Sequence, residues 1–151
     1  MKLYFAYGSN LCKEQMKDRC PKSKYLEKYY LDDHKLCFCW NGRSTNLNGV
    51  ANIIKETGSK VPGVIYEISK SDEDELDRKE GYKRNPKVYD KKYFKNKDQD
   101  VLYYVLYGEC EPLKPKESYW KDKIYQGYKD HNLDIENLKE VLIKHQVNMD
   151  F

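Results

Sequence analysis

The sequence lacks the features that mark an exported, membrane-bound or nucleic-acid-binding chain. Near the N-terminus the apolar run Leu3 to Tyr7 is far too short for a signal-peptide core or a membrane span, so the expectation is a cytoplasmic protein with no membrane partner. An excess charge of one sign is also missing: 28 Lys and Arg against 25 Asp and Glu leave +3, spread along the chain. That balance gives no basic field for nucleic acid, and the many tyrosines alone are a weak reason to expect one. C-x-x-C pairs are absent, and the five cysteines, Cys12, Cys20, Cys37, Cys39 and Cys110, are an odd number. Neither a disulfide framework nor a zinc knuckle is indicated, and reduced thiols are expected. His34, His131 and His145 are far apart and show no ligand spacing with the cysteines, so no metal is expected.

What is present is enough apolar and aromatic surface to fold. The 151 residues are 39% apolar and include 15 Tyr, 4 Phe and 2 Trp, which outweighs a 35% charged fraction and a mean hydropathy of −0.99. The length fits one domain over residues 1–151, with no internal repeat and no low-complexity linker.

Lys2 to Tyr7 reads as a strand that stops at the turn cluster Gly8-Ser9-Asn10. Ser9 or Asn10 would cap a short helix over Cys12 to Arg19, closed by Cys20-Pro21. Tyr25 to Leu31 and Lys35 to Trp40 are strand-like runs around Asp32-Asp33 and are expected to form a hairpin. Asn41 to Asn48 reads as a loop before a strand at Val50 to Ile54, and Thr57-Gly58-Ser59 as a turn into Val61 to Ile68. Ser71 and Asp74 form a capping-box-like pair for a helix to about Lys79, which Gly81 would end in a left-handed cap. Val88 to Phe94 and Val101 to Tyr107 are further strands, the second apolar enough to be central. Helical spacing follows over Glu117 to His131 and Ile135 to Gln146, with Leu138, Leu142 and Ile143 on one apolar face.

Two segments carry candidate chemistry. In Tyr7-Gly8-Ser9-Asn10-Leu11, a glycine at a strand-to-helix turn and the N–H groups that follow can form an anion or oxyanion site, although the same residues make ordinary turns. Glu80, at the C-terminal end of its helix, faces the negative end of the helix dipole, and burial by Tyr82 would raise its pKa further. Its bland alternative is a solvated Glu beside Arg78 and Lys79. Cys12, directly after the first segment, is a candidate nucleophile at a helix N-terminus, but no His or Asp is placed to support it and a packed thiol is the better reading.

Together, Tyr4-Phe5-Ala6-Tyr7-Gly8-Ser9-Asn10-Leu11, Gly63-Val64-Ile65-Tyr66 and Leu76-Asp77-Arg78-Lys79-Glu80-Gly81-Tyr82 resemble the gamma-glutamylcyclotransferase family. Asp33 to Phe38 and the Tyr119 to Leu133 helix with Gly127 fall in the order that family uses, so the resemblance spans most of the chain.

The resemblance implies an α+β fold, a small barrel-like mixed sheet with flanking helices. It implies a small-molecule gamma-glutamyl substrate and no cofactor. The substrate's alpha-amine attacks its own gamma-carbonyl, releasing 5-oxoproline and an amine or amino acid. Glu80 matches the family's catalytic Glu, acting as general base and then acid. The N–H groups of Gly8, Ser9, Asn10 and Leu11 match its binding loop, with Tyr7 in the pocket wall and Asn10 offering a side-chain hydrogen bond. Tyr89 is a further site residue for which Tyr82 competes. Alternatives are a gamma-glutamylamine or a gamma-glutamyl-protected metabolite as substrate, or a binding module without turnover. Specificity for the leaving group is expected in Asn41 to Asn48 and Lys83 to Lys87.

Overall fold

A computed structural model of the chain describes residues 1–43 and 47–149. Five strands form one mixed sheet: β1 (Lys2–Ala6), β2 (Lys24–Cys39), β3 (Val50–Ile68), β4 (Tyr89–Asn96) and β5 (Gln99–Leu106). Their order is β2-β3-β1-β5-β4, with β1 antiparallel to β3 and parallel to β5. The near-continuous apolar runs of β1 and β5 are explained by this central placement, since both faces are covered.

The expected hairpin at Asp32-Asp33 does not form. Tyr25 to Leu31 and Lys35 to Cys39 belong to one strand, β2, which pairs along its length with β3, and Thr57-Gly58-Ser59 lies inside β3 instead of turning the chain. The turn-forming residues act at a shared irregularity: Asp32 pairs with Lys60 and His34 with Lys55, so the extra residues of β3 bulge opposite Asp33. Asp33 and Gly58 both have positive φ, and the Gly58 N–H donates to Asp33 Oδ1 at 3.0 Å. These turn-forming residues sit at a bulge between two long strands and do not reverse the chain.

The barrel expectation is met only in part. The sheet is mixed and flanked by helices, and Tyr29 of β2 stacks on Phe94 of β4 with ring centroids 5.1 Å apart. Among the described residues no hydrogen-bonded ladder joins these two edge strands.

A short 3₁₀ turn (Ser9–Leu11) leads from β1 into α1 (Lys13–Arg19). Neither Ser9 nor Asn10 caps α1; the Asn10 side chain turns inward, donating to Tyr4 Oη and accepting from Gln15 and Arg19. Helix α2 (Lys70–Glu80) is capped by Ser69 with Asp72, not by Ser71 with Asp74, in a reciprocal capping box. Gly81 ends it at φ 66°, where a side chain would be strained.

The C-terminal helical run comprises α3 (Glu117–Tyr119), a π-helical segment (Trp120–Tyr125) and α4 (Gln126–Asp130). A Cβ on Gly127 would overlap Leu11, so glycine is required for α4 to close against the 3₁₀ turn. In α5 (Glu136–Lys144) Leu138, Val141 and Leu142 are buried, whereas Ile143 is exposed and leaves the expected apolar face. No helix among the described residues is long and apolar enough to cross a membrane.

Candidate active site

Three structural decisions converge on one cavity. The end of β1 delivers Tyr7 and the turn Gly8-Ser9-Asn10, the last residue of α2 delivers Glu80, and the first residue of β4 delivers Tyr89. Tyr4, Phe5, Ala51, Tyr104 and Tyr119 complete the lining. Six of the seven residues expected at the site therefore share one cavity.

Leu11 does not line it. Its side chain is fully buried, and its N–H donates to Gly8 O at 3.0 Å within the 3₁₀ turn, so that group is already engaged. Gly8 has φ −114°, so it is not in the left-handed region; what a side chain there would meet is Ala51, whose Cβ would lie 3.2 Å from the new Cβ. Tyr82 is also outside, with its ring beneath the ammonium groups of Lys87 and Lys91 at 4.6 and 4.7 Å.

Glu80 is only partly covered as a residue, but its carboxyl faces the aromatic cavity. Burial raises its pKa to about 7, opposed by the positive charge of Arg19. Burial holds Tyr7 and Tyr89 neutral, well above the usual phenol range, and the neighbouring Glu80 charge adds to this.

The phenols differ in what they have left to give. Tyr7 donates its hydroxyl to Tyr104 O at 2.6 Å, and Tyr89 donates to Ala51 O at 2.7 Å. Tyr119 instead accepts the Ala51 N–H at 2.9 Å, so its own O–H is still a donor. Tyr119 and Tyr104 were not singled out from the sequence as site residues. Tyr119 had appeared only as the start of a helix, and nothing local in either segment marks a cavity wall.

The two loops expected to set specificity meet in a separate cleft, lined by Asn41, Gly42, Arg43, Asn85, Pro86, Lys87, Val88 and Tyr107. Residues 44–46 of the first loop lie outside the described residues.

Cys12 is buried, as expected of a packed thiol, but a His and an Asp do come close in the chain around it: His131 Nε2 lies 2.9 Å from Leu11 O, and the Lys13 N–H donates to Asp130 Oδ2 at 3.0 Å. Cys39 and Cys110 overturn the expectation of reduced thiols, since they are disulfide-bonded with the free Cys37 beside them, whereas Cys20 is free and buried.

Comparisons with known proteins agree with this architecture. The chain is 31% identical to human gamma-glutamylcyclotransferase over 147 residues, 89% of this chain and 73% of the human protein. It is 30% identical to the bovine protein of the same name over 152 residues, 92% of this chain and 76% of the other. A solved structure of a gamma-glutamyl cyclotransferase superposes with a TM-score of 0.78 at 29% identity, over 99% of this chain and 90% of that one. The family described as gamma-glutamyl cyclotransferase, AIG2-like, matches residues 4–122, and the chain belongs to it.

Proposed function

We propose that the protein cyclises a gamma-glutamyl group to 5-oxoproline and releases the attached amine or amino acid. The observation that carries this reading is the Glu80 carboxyl, at about pKa 7, in the same cavity as the Gly8-Ser9-Asn10 turn. Nucleophile and electrophile belong to one substrate molecule, so the protein's first task is to hold the glutamyl chain in a ring-closing pose. Its second is proton traffic. Glu80 as carboxylate takes a proton from the alpha-ammonium; the amine nitrogen then bonds to the gamma-carbon, and the carbonyl oxygen becomes an oxyanion. As that intermediate collapses, protonated Glu80 gives its proton to the leaving nitrogen and the gamma-carbon–nitrogen bond breaks; Glu80 then takes the second proton from the ring nitrogen, leaving the lactam neutral, and passes it to the released amine. A carboxyl with pKa near 7 suits both halves of this cycle near neutrality.

Donors for the oxyanion and the alpha-carboxylate are assigned to the N–H groups of Gly8, Ser9 and Asn10, with the unspent Tyr119 hydroxyl as a further donor. Tyr7 and Tyr89, whose protons are committed to backbone carbonyls, serve as walls and acceptors. The test is incubation with a panel of gamma-glutamyl amino acids, peptides and amines, followed by mass-spectrometric detection of 5-oxoproline. Product from at least one member, absent with Glu80→Gln, is the expected result. Absence of 5-oxoproline across the panel from folded protein overturns the reading.

A further inference from the structure

Cys37 and Cys39 are two residues apart on β2, so their side chains leave the strand on the same face. Cys110 reaches them from the segment after β5, and backbone hydrogen bonds hold that segment against β2 alongside the disulfide. The Trp40 N–H donates to Glu111 O at 2.8 Å, the Leu113 N–H donates to Phe38 O at 3.1 Å, and Cys39 pairs with Pro112 in an isolated bridge. The three sulfurs all lie within 4.8 Å of one another.

Cys37 Sγ is 3.5 Å from Cys39 Sγ and 3.9 Å from Cys110 Sγ. This near-equidistance places it beside the Cys39–Cys110 bond and not on its axis, which is a poor start for displacing either sulfur, because thiolate attack runs along that axis. The same distances suit a different role. An ion bound about 2.3 Å from each of three thiolates spaces them roughly 3.8–4.0 Å apart. Two edges of such a triangle are already near that length.

We propose that Cys37, Cys39 and Cys110, with the Cys39–Cys110 disulfide reduced, form a three-thiolate site for a thiophilic d¹⁰ cation, Cu(I) or Zn²⁺. The reduction consumes two equivalents of a thiol reductant: the S–S bond breaks, two cysteine thiols form, and the reductant leaves as its own disulfide. Ion binding then displaces the three thiol protons.

Asn52 supports the assignment. It is 3% exposed, its Oδ1 is pinned by the Leu106 N–H at 2.9 Å, and its Nδ2 donates to Cys39 Sγ at 3.8 Å. A buried amide N–H fixed toward sulfur stabilises a thiolate and orients a ligand. Cys110 and Asn52 also line an open depression, which gives an ion a path from solvent. No fourth His, Cys, Asp or Glu joins the cluster among the described residues, which fits a trigonal Cu(I) or a Zn²⁺ completed by water.

The experiment uses the full chain, reduced with a phosphine under anaerobic conditions and titrated separately with Cu(I) against a competing chelator and with Zn²⁺. The expected result is one ion per chain in at least one arm, and the preferred arm identifies the ion. Cys37→Ser should weaken binding by more than the roughly 10–100-fold that loss of an outer hydrogen bond costs. Circular dichroism checks that variant's fold. Alkylation followed by mass spectrometry provides an independent readout on the wild-type chain, in which the bound ion should protect Cys37, Cys39 and Cys110 together. Absence of stoichiometric binding in both arms, unchanged affinity in folded Cys37→Ser, or a binding pattern that does not protect these three thiols overturns the proposal.

Discussion

Helix α2 buries carboxylates at two places and treats them in opposite ways. On its inner face, Glu73 accepts from Lys91 Nζ at 2.8 Å and Lys2 Nζ at 3.0 Å, while Asp77 accepts from Lys91 Nζ at 2.8 Å and Tyr104 Oη at 2.6 Å. Burial works to raise the Glu73 pKa, but the hydrogen bonds from the two lysines overcome it, and the group ends below its ordinary value. Seven residues on, Glu80 is buried among aromatic rings with only the charge of Arg19 to oppose burial, and rises to about 7. The same residue type on the same helix thus serves as an anchor where cations meet it and as a proton carrier where they do not. The anchored carboxylates also hold the helix that presents the carrier.

The comparison is broken most severely by removing the carrier. Glu80→Gln keeps the shape but cannot accept a proton, so turnover should fall by about 10²–10⁴, or more if one group makes both transfers. Near-parental activity of a folded variant in the 5-oxoproline assay would remove Glu80 from the mechanism.

Removing the shared cation tests the other side. Lys91→Met leaves Asp77 without its ammonium and Glu73 with only Lys2, in surroundings where both side chains are almost wholly covered. Breaking a buried pair in this way costs about 3–5 kcal/mol, readable as a drop in denaturation midpoint. A variant as stable as the parent would show that the network contributes no net stability.

The two pKa directions also make opposite demands on pH. Glu80 binds its proton more tightly folded than unfolded, so its contribution is fully present below about 4.5 and is lost as pH rises to about 7. Glu73 behaves in the other sense: its contribution is present above its ordinary pKa of 4.5 and is lost as pH falls through its lower folded value. Above pH 7, Glu80→Gln should be more stable than the parent by up to about 3 kcal/mol, with the difference vanishing toward pH 4. Chemical denaturation across that range measures it. A pH-independent difference would mean that the Glu80 pKa is not raised by folding.

Much of this arrangement was legible where short-range chemistry decides it. The β1 strand ending just before the Gly8 turn, the left-handed cap at Gly81 and the interior position of β5 follow from local residue types. Pairing the Gly8 turn with Glu80 needed the family resemblance, because no local signal brings residues more than 70 apart to one cavity. The Asp32-Asp33 and Thr57-Gly58-Ser59 signals misled because a matched bulge and a hairpin turn ask for the same left-handed residues, and only the partner strand tells them apart. The sulfur cluster was hidden for a related reason: 71 residues separate Cys39 from Cys110, and spacing rules for cysteines detect only near neighbours.

The smallest effect separates two tyrosines that look alike in sequence. Tyr89 gives its proton to Ala51 O, whereas Tyr119 receives one from Ala51 N, so the same strand residue is held from both sides. Tyr89→Phe removes one hydrogen bond at a largely covered site and should cost about 0.5–1.5 kcal/mol of stability, with a modest change in turnover because the lost hydroxyl had no proton to spare. Tyr119→Phe removes a similar bond and should cost a similar stability. It also deletes a donor still available to substrate, so its kcat should fall further than that of Tyr89→Phe. Thermal melting compares the two stabilities and steady-state kinetics the two rates. Equal losses of kcat in both variants would mean that the Tyr119 proton is not used, leaving the oxyanion to the backbone groups of the Gly8 turn.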